Sequence, residues 1–158
     1  MAGRLWAADD SPRHTLSWIA LVSEVVMFAV FFLEVGLFAA TGLLVDEVGD
    51  EIIHGLHVAA FTAAFILGAL WIPFFAAVVL IGRRSGALPR WLIGLAAATC
   101  VTNSFAIGAA FSLSGPFNGQ NGIVALGGAT FLPVTWLFLS SAWLVVRSRA
   151  ETEALGSI

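Results

Sequence analysis

The sequence contains no lysine, no tyrosine and only one cysteine, and charged residues make up just 11% of it. Without a lysine amine the chain cannot form a Schiff base, which excludes a retinal-type chromophore. Cys100 has no partner for an internal disulfide, and an isolated thiol in an apolar stretch usually serves packing. All seven basic residues are arginine and the formal net charge is −3. No basic face could therefore neutralise many phosphates, and we expect no nucleic-acid partner.

Apolar residues are correspondingly abundant, at 59% of the 158 residues. A soluble domain has roughly 45–50% apolar and about 25% charged residues, so we expect the lipid bilayer to be the solvent of this chain. Four segments are long enough to cross a hydrocarbon core of about 30 Å as helices. These predicted spans are residues 15–44, 52–82, 91–113 and 123–146. The sequence therefore predicts an all-α membrane protein, with residues 1–158 forming a single four-helix transmembrane domain.

The positions of the arginines predict the orientation of these spans. They lie before the first span, between the second and third, and after the fourth, at Arg4, Arg13, Arg83, Arg84, Arg90, Arg147 and Arg149. The two remaining loops, residues 45–51 and 114–122, contain no basic residue. Because cytoplasmic loops are enriched in arginine and lysine, we expect both termini to be cytoplasmic. The prediction is a multi-pass protein of the cell (inner or plasma) membrane.

Small residues and prolines within the spans predict how the helices pack. Pro73 and Pro133 should kink their helices or leave a carbonyl free for another group. Residues spaced by four should let helices approach closely. These are Ala60, Ala64 and Gly68 in the second span, and Gly94 and Ala98 in the third.

Two carboxyl groups lie inside the first span, Glu24 towards the cytoplasm and Glu34 towards the outside. Their Cα atoms should be about 15 Å apart along the helix. An ionisable group at mid-bilayer costs about 2.5–3.5 kcal/mol on insertion scales, so it usually faces protein or water. Each is interpreted either as a neutral acid hydrogen-bonded to a neighbouring helix or as a group for proton transfer or lipid-headgroup contact.

A second group of ionisable residues opens the second span. Asp50, His54 and His57 are spaced i, i+4 and i+7, which places them on one face of a helix. A carboxylate with two imidazoles is a reasonable ligand set for a divalent metal. The alternative is that they make ordinary hydrogen bonds at the water boundary. His54 and His57 share a helix, so a bis-histidine haem would require a homodimer or a second subunit.

Polar residues from several spans should meet in the outer half of the membrane. Counting depth along the spans places Glu34, Thr62 and Asn103 within one or two helical turns of each other, together with His57. Intramembrane polar groups tend to pair. We therefore expect a hydrogen bond from Glu34 to His57 or to Asn103.

Two motifs resemble subunit III of the haem–copper oxidases. Residues 23–32, SEVVMFAVFF, are similar to that family's S-E-x-x-F-F helix, and residues 54–58, HGLHV, to its H-G-x-H-V helix start. Residues 136–139, WLFL, are similar to part of its last helix, and the three motifs follow the family's order. Here only a short acidic loop separates the first two motifs, where the family has further helices.

This resemblance implies a function and a set of residues. Subunit III holds no redox centre and packs against the catalytic subunit, and its intramembrane glutamate helps to hold lipid. The resemblance implies that Glu24, His54 and His57 correspond to the functional residues of the family's motifs. The prediction is a non-catalytic accessory subunit of a membrane redox or respiratory complex, with no cofactor of its own. Its partners would be other membrane subunits or further copies of itself.

Two alternative functions follow from the same polar residues. One is a membrane metal- or haem-binding protein that uses His54 and His57 at a subunit interface. The other is a small oligomeric transporter or channel built around Glu34 and Asn103.

Overall fold

The structure is a computed structural model that describes residues 2–108, 115–116, 123 and 127–156. At residues 2, 62–66, 106, 129 and 150–156 it describes the backbone alone. Across these residues the chain is helical apart from short connections, and this described part contains no strand. The predicted all-helical fold is confirmed. The predicted loop 114–122 and the predicted helix ends at 109–113 and 124–126 lie largely outside the described residues.

Five helices are described, each numbered here in chain order. They are α1 at Ala2–Ala8, α2 at Thr15–Leu44, α3 at Asp50–Ser85, α4 at Arg90–Ala106 and α5 at Leu132–Gly156. A 3-10 turn at Pro12–His14 precedes α2, and a π-helical turn at Gly127–Phe131 precedes α5. The first predicted span, 15–44, has the bounds of α2, whereas α3 extends the second by two residues at its start and three at its end.

Among the residues that the structure describes, two helices are long and apolar enough, by length and composition, to cross a membrane. They are Pro12–Leu44, which includes the 3-10 turn, and Leu67–Ser85 within α3. Only 22% of the most apolar window of the first is buried inside the chain. Its outer surface carries large apolar side chains, including Val25, Phe28 and Phe32. Water disfavours a continuous apolar surface of this kind, so these helices point to a membrane protein.

The central helix is α3, which packs along α2 on one side and along α4 on the other. Its middle carries an aromatic cluster formed by Trp71, Phe74 and Phe75 with Trp136 of α5. The ring centroids of Phe75 and Trp136 are 5.1 Å apart and the rings meet edge to face, an arrangement that aromatic quadrupoles favour. Pro73 lies inside this cluster, so the rings pack around the point where α3 lacks a backbone N–H donor.

The contact between α3 and α4 is closest near the turn that joins them. Gly86 adopts a left-handed backbone (φ 65°) and its N–H donates to the Gly82 carbonyl, which ends α3. A Cβ on Gly82 would lie 3.1 Å from Ile93 Cγ1, so this glycine allows α4 to approach closely. Gly94 and Ala98 are exposed, so the small residues predicted to bring α4 close to its neighbour do not form this contact. The buried α4 residues are Leu92, Ala96, Thr99 and Asn103. Of the small residues predicted to form contacts on α3, Ala60 and Gly68 are buried, and the side chain of Ala64 lies outside the described residues.

The N-terminal segment folds back onto α2 and α3 instead of extending away from them. Leu5 of α1 is buried in the core, and the Ser17 hydroxyl donates to its carbonyl oxygen at 3.5 Å. Asp9 follows α1 and accepts backbone N–H bonds from Ser11 at 2.9 Å and Ser17 at 2.8 Å. Ser17 lies in the first turn of α2, where N–H groups have no partner within the helix. The segment therefore caps α2 from outside.

Candidate functional site

Glu24 lines an open cavity of about 560 Å³ bordered by α1, α2, α3 and α5. The other polar lining residues are Ser17 and Ser141, and most of the wall is apolar, including Trp6 and Phe74. A cavity of this size with few polar groups has the general character of a small-molecule site. The arrangement suits an amphiphile whose apolar part contacts the aromatic wall while a polar group reaches the carboxyl.

The position of Glu24 follows from the face that α2 turns towards the rest of the chain. Ala20, Ser23 and Met27 are buried at spacings of three and four residues, which defines that face. The Ser23 hydroxyl donates to the Ile19 carbonyl at 2.7 Å and so is satisfied within the helix. Glu24 is half-buried at the edge of this face, which lets its carboxyl reach the cavity.

Glu34 lies further along α2 and is half-exposed. Within the described part of the chain, it makes no hydrogen bond or ion pair. It is one turn from Phe38, whose ring lies 5.7 Å from the His57 ring. The structure thus brings Glu34 and His57 to the same end of the α2–α3 hairpin. The predicted Glu34–His57 hydrogen bond is not formed.

His57 contacts two aromatic rings. Phe38 of α2 and Phe61 of α3 both meet its imidazole edge to face, with ring centroids 5.7 and 4.8 Å away. Asp50 and His54 are exposed on the first turns of α3. No group of three or more His, Cys, Asp or Glu that could hold a metal occurs among the residues the structure describes. The metal site at Asp50, His54 and His57 stays a prediction, as does a haem at a subunit interface.

Asn103 is fully buried and faces the fourth apolar segment instead of Glu34. Its Nδ2 donates to the Thr99 carbonyl in its own helix and to the Gly128 carbonyl, both at 2.8 Å. The predicted Glu34–Asn103 hydrogen bond is therefore not formed. Thr62 is the remaining polar residue that was predicted to meet Glu34 in the outer half of the membrane, and its side chain lies outside the described residues. Asn103 Oδ1 is buried and has no hydrogen-bond partner among the described residues.

A bond between α4 and α5 involves Trp136, a residue of the resemblance motif. Trp136 is fully buried and its Nε1 donates to the Leu92 carbonyl at 2.9 Å. Cys100 of α4 similarly reaches α3, its thiol donating to the Ile72 carbonyl at 3.6 Å. Sequence reasoning did not single out Trp136 as a helix-joining donor. An indole within an apolar span was the available signal, because its N–H needs a partner when buried.

The carboxyl of Asp9 is the most strongly perturbed group outside the apolar helices. Burial raises its pKa, but the hydrogen bonds from Ser11 and Ser17 outweigh burial and lower the pKa to about 2. Asp9 was not among the predicted site residues. The signal was present, because an aspartate before Ser11 and Pro12 at the start of a long apolar helix is typical of a cap.

No family model, curated protein or solved structure matches this chain.

Proposed function

We propose that the chain crosses the membrane four times, with both termini cytoplasmic, and serves as a non-catalytic subunit of a larger membrane redox complex. The observation that carries the proposal is Glu34, a carboxyl within the most apolar helix that has no hydrogen-bond or ion-pair partner in the described part of the chain. Facing lipid alone, such a group is costly. A neighbouring subunit that supplies a polar partner removes this cost.

The proposed orientation is supported by contacts that bring the arginines to one end of the helices. Arg84, after α3, lies 3.9 Å from Asp10, before α2. Leu92, near the start of α4, bonds to Trp136 in α5, whereas Asn103, near the end of α4, bonds to Gly128 before α5. Later residues of α4 thus pair with earlier residues of the last segment, so α4 and α5 are antiparallel. The C-terminal end of α5, with Arg147 and Arg149, therefore lies at the same end as Arg90. In a bilayer this basic end would face the cytoplasm.

The proposed interface is the outer surface of α2. Phe32 is 69% exposed and Leu33 59% exposed, and both lie at the depth of Glu34, within about 3 Å along the helix axis. This apolar surface borders the half-exposed Glu34, so another helix can cover it by packing and supply one hydrogen bond to the carboxyl at its edge. The outer surface of α5 is also apolar, with Phe138 72% exposed, but among its described side chains it bears no carboxyl within the apolar part. We therefore assign α2 to the partner and α5 to lipid.

The redox character of the complex rests on the resemblance to subunit III. Glu24 lies in a cavity formed by four helices, a position compatible with the lipid contact that the resemblance implies. His54 and His57 lie at the opposite end of the α2–α3 hairpin from Glu24. The distance from Glu24 to Phe38, which touches His57, is about 21 Å along the helix. These residues would therefore act separately.

Site-specific photo-crosslinking tests the proposal. A photoreactive amino acid replaces Phe32 in one variant and Phe138 in a matched control of similar exposure, and each is illuminated in native membranes. We expect the Phe32 position to give one discrete adduct with a larger subunit that carries haem or copper, and the Phe138 position to give lipid adducts. Adducts with lipid alone at both positions, or only with a second copy of this chain, would contradict the proposal.

A further inference from the structure

A second cavity, which shares no lining residue with the Glu24 cavity, lies in the groove between α3 and α4. It has a volume of about 510 Å³ and is lined by Val79 and Arg83 of α3 and by Arg90, Ile93, Gly94 and Ala97 of α4. Arg83 follows Val79 by one turn on the same face of α3. Gly94 and Ala97 likewise follow Arg90 on one face of α4. Both arginines thus lie at one end of the groove, and the rest of its lining is apolar.

The two arginines are available for a ligand. Arg84, their neighbour in the chain, lies next to Asp10, whereas Arg83 and Arg90 have no acidic partner among the described residues. Both are exposed. Arg90 is also the first residue of α4, where free backbone N–H groups add partial positive charge. This end of the groove therefore attracts an anion, and a phosphate accepts several hydrogen bonds from guanidinium groups.

The apolar part of the groove has room for a hydrocarbon chain because its α4 side is built from small residues. A Cβ on Gly94 would meet no atom within 4 Å. Ile93 packs against Gly82, which holds the two helices together beside the groove. Trp91 is 51% exposed at the level of the arginines, as is typical of side chains at the headgroup boundary of a bilayer.

We propose that this groove binds one anionic phospholipid, with its phosphate between Arg83 and Arg90 and an acyl chain along Val79, Gly94 and Ala97. The proposal rests on the proposed membrane crossing of α3 and α4, which places the arginines at the cytoplasmic headgroups. Basic pockets between helices on this side of a membrane suit anionic headgroups. The combination of charge at one end and an apolar channel below it matches a lipid better than a soluble phosphate.

Native mass spectrometry of the purified chain with equal amounts of phosphatidylglycerol and phosphatidylcholine tests this. We expect phosphatidylglycerol to be retained preferentially. Each of Arg83→Gln and Arg90→Gln should lower that preference about five-fold, since each arginine near a membrane surface contributes a comparable factor. Arg84→Gln removes the same charge from the same connection outside the groove and should leave the preference unchanged. Arg83→Lys, which keeps the charge, should retain most of it and so controls for folding.

A matched pair of variants tests the apolar half of the site. Gly94→Leu fills the groove and should reduce binding of both lipids, whereas Ala98→Leu, exposed on α4 but outside the lining, should not.

Three results would overturn the proposal. They are equal losses for Arg84→Gln and Arg83→Gln, equal retention of the two lipids, and displacement of the lipid by millimolar glycerol phosphate. The first indicates diffuse surface charge, and the last a site for phosphate alone. Because this assay needs no partner subunit, its failure does not contradict the Phe32 crosslink, and the two proposals fail separately.

Discussion

Asp9 shows how one side chain holds the N-terminal segment in place. It accepts the Ser11 and Ser17 N–H groups while only 5% exposed. The backbone that follows is strained, because Arg13 and His14 both adopt left-handed conformations at φ 56° and 53°. The ring of His14 stacks on Trp6 at 5.0 Å. A charged acceptor that satisfies two N–H groups offsets such strain.

The pKa of Asp9 makes this docking dependent on pH. The folded pKa of about 2 lies below the ordinary value of 3.8, so the carboxylate stabilises the docked segment above about pH 4. That stabilisation is lost as the pH falls from 3.8 towards 2. In detergent micelles, the NMR shift of the Ser17 amide proton should titrate with a midpoint near 2.

The matched variants are Asp9→Asn and Asp10→Asn at pH 7. Trypsin should cleave after Arg13 faster in Asp9→Asn, whereas Asp10, 71% exposed in its side chain, should tolerate the change. A Ser17 midpoint near 3.8, or equal cleavage of both variants, would show that Asp9 does not hold the segment.

At the scale of elements, the π-helical turn before α5 explains why Asn103 is buried. In a π-helix the carbonyl of residue i bonds to the N–H of residue i+5. For Gly128 that residue is Pro133, which has no N–H. Asn103 Nδ2 donates to this Gly128 carbonyl instead. The freed carbonyl predicted for a span with an internal proline thus accepts a hydrogen bond from another helix.

A double-mutant cycle tests this explanation. Asn103→Leu leaves the Gly128 carbonyl buried without a donor, which should cost about 1–2 kcal/mol of unfolding free energy in micelles. In the Pro133→Ala background the backbone N–H is restored, and the same change should cost less. Thermal unfolding of the four proteins measures the difference. Equal costs of Asn103→Leu in both backgrounds would mean that Asn103 does not compensate for Pro133.

The bounds of α2 and α3 were predictable to within three residues, whereas the inward faces of the helices were not. Apolar runs mark α2 and α3 in the sequence. A helix that is apolar all round carries no periodicity that distinguishes its lipid-facing side from its protein-facing side. The expected contact through Gly94 and Ala98 was wrong for that reason. The short helix α1 was not predicted, because a helix of seven residues depends on tertiary packing.

At the scale of the whole molecule, the positions of the charged residues predicted the arrangement of the helices better than the apolar pattern did. The arginine positions predicted which connections lie together, and the Arg84–Asp10 contact places two of them at one end. The candidate site was only partly predictable. Glu24 was recognised as an ionisable group in an apolar helix, but its cavity depends on α1 and α5, which come from opposite ends of the chain. Sequence spacing cannot reveal such distant contacts.

The central claim, four crossings with both ends cytoplasmic, is tested most directly by labelling single cysteines in intact cells. In a Cys100→Ser background, one cysteine is introduced in each connection and near the C-terminus by Glu47→Cys, Ser85→Cys, Asn118→Cys or Ser148→Cys. With a membrane-impermeant maleimide, we predict that the cysteines at positions 47 and 118 react in intact cells. Those at positions 85 and 148 should react only after permeabilisation. Equal reactivity at positions 47 and 85, or at 118 and 148, would contradict the account, because the helices between them would not cross the membrane.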